Sequence, residues 1–77
     1  MTTEEKAVMA DMYYFLRDAL AEMPMPETEE GDAYWDRTLN TLLYLVSVKH
    51  GDHPLIREIG LAMYNYLSLR ASEKKGA

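Results

Sequence analysis

The three prolines of the chain stand at two places, Pro24 and Pro26 in MPMPETEEG and Pro54 in VKHGDHPL, and these two breaks limit what it can fold into. Proline cannot donate to a helical ladder and fits a helix only in its first turn. Around the breaks, apolar residues recur at three- and four-residue spacing, and no segment shows the alternation of a half-buried strand. The chain therefore reads as three helices joined by two short connections.

The first helix opens at Thr2-Thr3-Glu4-Glu5, where the Thr2 side chain can accept from the third helical N–H while Glu5 reaches back, the reciprocal capping box. Carboxylates in this turn also face the positive end of the helix dipole. Its predicted core face is Val8, Met9, Met12, Phe15, Leu16, Ala19, Leu20 and Met23. The second helix begins between Thr28 and Asp32, either of which can cap. It carries a stripe of Trp35, Leu39, Leu42, Leu43 and Val46, and Gly51 ends it through the left-handed conformation that glycine tolerates. Asp52 is expected to cap the third helix, with Pro54 in its first turn. The apolar face of that helix is Leu55, Ile56, Ile59, Ala62, Met63, Tyr66, Leu67 and Leu69, and SEKKGA reads as a fraying tail. The expectation is an all-α fold and a single domain over residues 1–77. Its helices run over about 3–22, 29–50 and 53–71 and form an antiparallel bundle completed by homo-oligomerisation.

A chain of 77 residues lies near the lower limit for a self-sufficient core. It has no cysteine, which excludes a disulfide staple, a thiolate nucleophile and a zinc–thiolate site. Such chains rely on tidy helix packing, a metal or association with copies of themselves. No apolar run has the length to span a bilayer, and MTTEEKAVM lacks the basic start of a signal peptide, so a soluble cytoplasmic protein without membrane contact is expected. The net charge of −5 argues against direct nucleic-acid binding, which needs clustered lysine and arginine. That charge is uneven: −2 over residues 1–21, −6 over 22–36 and +3 over 37–77.

The second helix holds more apolar surface than one stripe needs. Beside the stripe runs a row of Tyr34, Thr38, Thr41, Leu45 and Val48, with Tyr44 adjoining, at the alternating spacing of a helix seam. Ala7, Ala10, Tyr14 and Ala21 lie opposite the core face of helix one, and Leu61 and Tyr64 lie on the outer side of helix three. The central helix of a bundle touches two neighbours, which alone widens its apolar arc. The reading favoured is self-association, because a contiguous apolar patch on so small a domain marks an interface and symmetric homo-oligomers are the common form. Its candidate residues, for an oligomer or a partner, are Tyr14, Tyr34, Thr41, Tyr44, Leu45, Val48, Leu61 and Tyr64. Six tyrosines and six methionines suit adaptable contact, although Met12, Met63 and Tyr66 are assigned to the core.

VKHGDHPL concentrates the ionisable groups. A turn is its first reading: glycine stops one helix, aspartate and proline start the next, and cations suit the end of helix two. An anion site is the second reading. Lys49, His50 and His53 gather at the N-terminus of helix three, Arg57 follows one turn later, and a phosphate or nucleotide would suit them. A metal is the last, since the helix break separates the two histidines and tight sites use three or four ligands. No metal ligand, cofactor or catalytic residue is assigned. The chain has no phosphate loop, nucleophile elbow or carboxylate–histidine helix motif, and its serines lack activating partners. Glu27, Glu29, Glu30, Asp32 and Asp36 lack calcium-loop spacing and read as a solvated acidic surface, or as a nucleic-acid mimic facing a basic partner.

His53-Pro54-Leu55 followed by Ala62-Met63-Tyr64-Asn65-Tyr66-Leu67, with Tyr34-Trp35 upstream, resembles small uncharacterised proteins encoded in prophages and mobile elements of gut Firmicutes. Lys49-His50 stand where those sequences often carry tryptophan. The resemblance implies a phage accessory protein in the cytoplasm of a bacterial host, a setting where small non-enzymatic inhibitors of host defence occur; it carries over no functional residue. The expected function is a homo-oligomeric binding protein that either sequesters a small anionic nucleotide or blocks a host protein. The alternative is a phage structural or assembly protein without inhibitory role.

Overall fold

The computed structural model describes residues 1–76 and has three helices: α1 over Thr3–Ala21, α2 over Glu29–Leu43 and α3 over Pro54–Gly76. Between α2 and α3 the chain continues as a π-helical segment, Tyr44–Lys49. No strand occurs among the described residues. Successive helices run antiparallel, α1 packs along α3 and α3 also packs on the π segment, giving a rod of 41 × 19 × 17 Å across its Cα atoms.

The start of α1 is the capping box read from the sequence. Glu5 N–H donates to Thr2 Oγ1 at 3.0 Å, and Thr2 N–H donates to Glu5 Oε1 at 2.6 Å. Hydrogen bonding from the Thr2 backbone N–H, with a smaller share from its hydroxyl, holds the Glu5 carboxyl below its usual range. Thr28 caps α2, accepting from Gly31 N–H at 3.0 Å while its hydroxyl donates to Met25 O at 2.7 Å. This double use of one hydroxyl draws the proline loop tightly over the first turn. A Cβ on Gly31 would stand 2.5 Å from Met25 O, so the loop closes only over a residue without one.

Val8, Met12, Phe15 and Ala19 of α1 form the core with Tyr34 and Leu42 of α2, Leu45 of the π segment, and Ile56 and Leu67 of α3. Leu16, Leu20, Trp35, Val46, Ile59 and Met63 pack around them, half-buried. Gly60 lets α3 approach α2 closely, with Val46 Cγ2 3.3 Å from where its Cβ would be.

The core arc on α2 differs from the stripe expected. Tyr34, Thr38 and Leu45, taken from the sequence as an outer row, are buried, whereas Leu43, assigned to the core, is 61% exposed. The reason is that α2 meets both other helices: Tyr34 and Thr38 face α1 while Trp35 and Val46 face α3, so the buried arc spans both rows. Met9, Ala62, Tyr66 and Leu69 were also expected inside and are exposed, because each lies at the edge of its helix's apolar arc.

Two boundaries also move. Helix α3 runs to Gly76 rather than to about residue 71. Its last turn is tethered, as Lys74 Nζ donates to Met23 O and Lys75 Nζ lies 2.5 Å from Glu27 Oε1. The second helix is not α-helical throughout. In the π segment an N–H reaches back five residues, as His50 N–H does to Leu45 O at 3.1 Å, and each such turn takes one more residue. In an uninterrupted α-helix Lys49, one heptad after Leu42, would point at the core. The wider turn puts His50 inward instead and leaves Lys49 on the rim.

Candidate functional site

The connection from Lys49 to Pro54 is built by two consecutive left-handed residues, Gly51 at φ 56° and Asp52 at φ 59°. They turn the chain so that Asp52 N–H donates to Val46 O at 2.7 Å and His53 N–H to His50 O at 3.1 Å, satisfying carbonyls the π segment leaves open. The expected cap of α3 is corrected here. Asp52 is spent on the turn, and His53 caps: its Nδ1 accepts from Leu55 N–H at 3.2 Å, and its carbonyl accepts the first helical bond, from Arg57 N–H. With Nδ1 as acceptor the ring proton sits on Nε2, which faces Glu4 Oε2 at 3.3 Å.

Lys49 and His50 do come together, but on a carboxylate of their own chain. His50 Nε2 donates to Asp11 Oδ2 at 2.6 Å, and Lys49 Nζ lies 3.0 Å from the same oxygen and 3.2 Å from Oδ1. The His50 side chain is 9% exposed, so this contact is largely withdrawn from water. Partial burial by itself would raise the Asp11 carboxyl; the hydrogen bonds from His50 and Lys49 outweigh it and hold Asp11 below the usual carboxylate range. The four cations proposed for an anion site thus divide three ways. Lys49 and His50 are on Asp11, His53 is on Glu4, and Arg57 has no carboxylate partner among the described residues. A phosphate at this helix start would have to displace carboxylates already seated there.

For metal, His50 and His53 point to different carboxylates of α1, and no group of three or more His, Asp or Glu side chains among the described residues is arranged to hold an ion. The sequence reading does not single out Asp11 or Glu4. The signal lay in topology: α1 runs antiparallel to α2, so carboxylates in its first half lie level with the turn at the far end of α2.

The candidate interface also divides. Tyr34 is 3% exposed and its hydroxyl donates to Ala19 O at 2.6 Å; Leu45 is buried against the core. Neither is available to a partner, which corrects their assignment as interface residues. Burial pushes the Tyr34 phenol up, against the opposing influence of Thr38 and Arg37. The remainder is exposed on two sides. Tyr14, Thr41, Tyr44 and Val48 lie toward the α1–α2 side, where Arg17 stacks 4.9 Å from the Tyr14 ring centroid. Leu61 and Tyr64 lie on the α2–α3 side, where Tyr64 meets Trp35 edge-on with ring centroids 6.5 Å apart. Leu43 joins this second side, unpredicted. An open groove of about 290 Å³ lies between α1 and α2, flanked by Asp18, Glu22, Arg37 and Thr41. Its charges are of mixed sign, unlike a site built for one ion.

No helix among the described residues is long and apolar enough to cross a membrane. No protein-family model, curated protein or solved structure matches the chain.

Proposed function

We propose that this chain is a non-enzymatic binding protein that works as a homo-oligomer and acts by covering a surface of another protein. The observation that carries this reading is the contrast between two parts of the molecule. The basic turn is already neutralised by Asp11 and Glu4, whereas Leu43, Leu61, Tyr44 and Val48 remain exposed on a domain that has a core of its own. Large apolar groups left in water on so small a fold are the usual mark of a surface that meets another protein. The total accessible surface of 5361 Å² also exceeds the about 4,800 Å² that scaling gives for a monomer of 8.9 kDa.

Between the two mechanisms expected from the sequence, protein blocking is favoured over sequestration of an anionic nucleotide. A nucleotide site would need cations held free and converging; three of the four candidates are engaged by carboxylates of α1. The resemblance to prophage accessory proteins supports a role in a bacterial cytoplasm, as an inhibitor of a host defence system. The exposed Tyr44 and Val48 side and the acidic residues Glu29 and Glu30 at the start of α2 are then what the host protein meets.

The test is plating of a restricted phage on hosts carrying a panel of defence systems, with and without this protein. Plating should rise against at least one system. Tyr44→Ser with Val48→Ser, or Glu29→Lys with Glu30→Lys, should abolish the rise, while Lys49→Ala should leave it. Loss on Lys49→Ala together with a nucleotide-sized mass on the purified protein would return the anion reading to first place. No rise against any system would remove the inhibitor role and favour an assembly protein.

A further inference from the structure

The α2–α3 side has an arrangement that only a particular partner would satisfy. Gly60 of α3 packs on Leu42 and Val46, and Tyr64 meets Trp35, so the two segments run antiparallel side by side. Outward from this seam, Leu39 and Leu43 on α2 and Leu61 and Tyr64 on α3 form an apolar centre; Leu43 and Leu61 are 61% and 60% exposed. One end of the face carries Arg57 of α3. The other carries Asp36 of α2, with Asp32 one turn further. All three are exposed, and none has an ion-pair partner among the described residues.

At 1.5 Å rise per residue, Arg57 and Asp36 each lie about 8 Å from a midpoint close to the level of Leu43 and Leu61. Opposite charges equidistant from an apolar centre are the pattern of a two-fold interface. Rotating a second copy by 180° about an axis through that midpoint puts its Asp36 over Arg57, and its Arg57 over Asp36, while the leucines meet in the middle. A parallel copy would oppose like charges. We propose that the α2–α3 face binds a second copy of this chain in antiparallel, two-fold fashion, with Arg57–Asp36 pairs at both rims. This rests on the homo-oligomer reading above and specifies its geometry. Paired in this way, the α2–α3 sides are covered and both Tyr44–Val48 sides stay outward.

The test is a charge swap followed by sedimentation equilibrium of the full chain, with circular dichroism of each variant to verify the fold. Arg57→Glu alone and Asp36→Lys alone each oppose like charges at both rims, and each should raise the dimer dissociation constant at least about tenfold. The double variant restores opposite signs and should recover most of the loss. Leu61→Ser at the centre should dissociate the dimer without loss of helicity. A wild-type dimer indifferent to all three changes would overturn this interface and leave the homo-oligomer reading standing. A dimer weakened by the single changes but not recovered by the double one would overturn the antiparallel geometry. A wild-type monomer at about 100 μM, near a dissociation free energy of 5–6 kcal/mol, would overturn both.

Discussion

His50 and Asp11 stand thirty-nine residues apart in sequence and 2.6 Å apart in the fold, the π segment having rotated the histidine inward to meet the carboxylate. The pair joins the end of the central helix to the middle of the first, and Lys49 completes it from the rim. What reads in the sequence as a basic cluster waiting for a ligand is in the fold a clasp.

Breaking the clasp has a defined cost. Asp11→Ala leaves His50 without its acceptor in a place 9% open to solvent, and releases Lys49. A hydrogen bond to a charged group contributes about 1.5–3 kcal/mol, and the expected loss in urea denaturation lies in that range. Asp11→Asn keeps an acceptor oxygen and should lose less. A variant as stable as the parent would show that the clasp contributes nothing.

The same carboxyl sets a pH dependence. Asp11 is held below its usual range in the folded chain, so it binds fewer protons there than when unfolded between the two values. Its contribution is therefore complete above the unfolded value of about 3.9 and is lost as pH falls through the lower folded value. The stability difference between parent and Asp11→Asn should shrink toward zero as the pH falls below about 3.9. A difference that grew as pH fell would reverse the sign of the assignment.

The π segment is one residue longer than an α-helical path to the same place. Deleting Ser47, which is exposed, lets the segment close as α-helix and puts His50 one heptad after Leu42, the position that faces inward. The deletion should leave a cooperative unfolding transition, with the clasp intact. Deleting Asn40, equally exposed but within regular α2, rotates everything after it by about 100° and should abolish cooperative unfolding. Equal tolerance of both deletions would show that the segment carries no register information.

Most of the fold was legible because it is punctuated. Thr2 with Glu5, Thr28, Gly51 and Pro54 mark helix ends by local chemistry, and each acts there as read. What was not legible depends on neighbours. Tyr34 and Leu43 have similar claims to burial in a helical wheel, and only the placing of α1 on one flank of α2 and α3 on the other buries the first and exposes the second. A π turn has no local residue code, so the inward position passes from Lys49 to His50 unannounced. The candidate anion site failed to converge for a related reason: cations can be counted along a sequence, but the carboxylates that satisfy them come from another helix.

Gly31 and Gly60 should separate two uses of glycine. Alanine at 31 would place its Cβ 2.5 Å from a backbone oxygen, Met25 O, and the loop must shift to admit it. The cost should be about 1–3 kcal/mol, as for other overpacked sites. At 60 the nearest atom is a side-chain methyl, Val46 Cγ2, at 3.3 Å. A small shift there is offset by the about 1 kcal/mol gained on replacing glycine within a helix, so Gly60→Ala should be near neutral. If thermal denaturation ranked the two variants the other way, the tight closure of the proline loop would not be what Gly31 serves.

Tyr34 offers the sharpest distinction between a surface residue and a structural one. Helix α1 ends at Ala21, so the Ala19 carbonyl has no partner within the helix, and the Tyr34 hydroxyl supplies one at 2.6 Å. Tyr34→Phe removes that single bond and keeps the ring, and should cost about 1 kcal/mol. Tyr34→Ser also empties the core beside Phe15 and Ala19, a loss of about 3–5 kcal/mol by comparison with other aromatic truncations. A chain of 77 residues has roughly 4–12 kcal/mol in total, so the serine variant should lose a quarter or more of its stability, read as a lowered thermal midpoint by circular dichroism. A well-folded Tyr34→Ser that had merely lost its oligomer would instead make Tyr34 the interface residue its place in the outer row suggests.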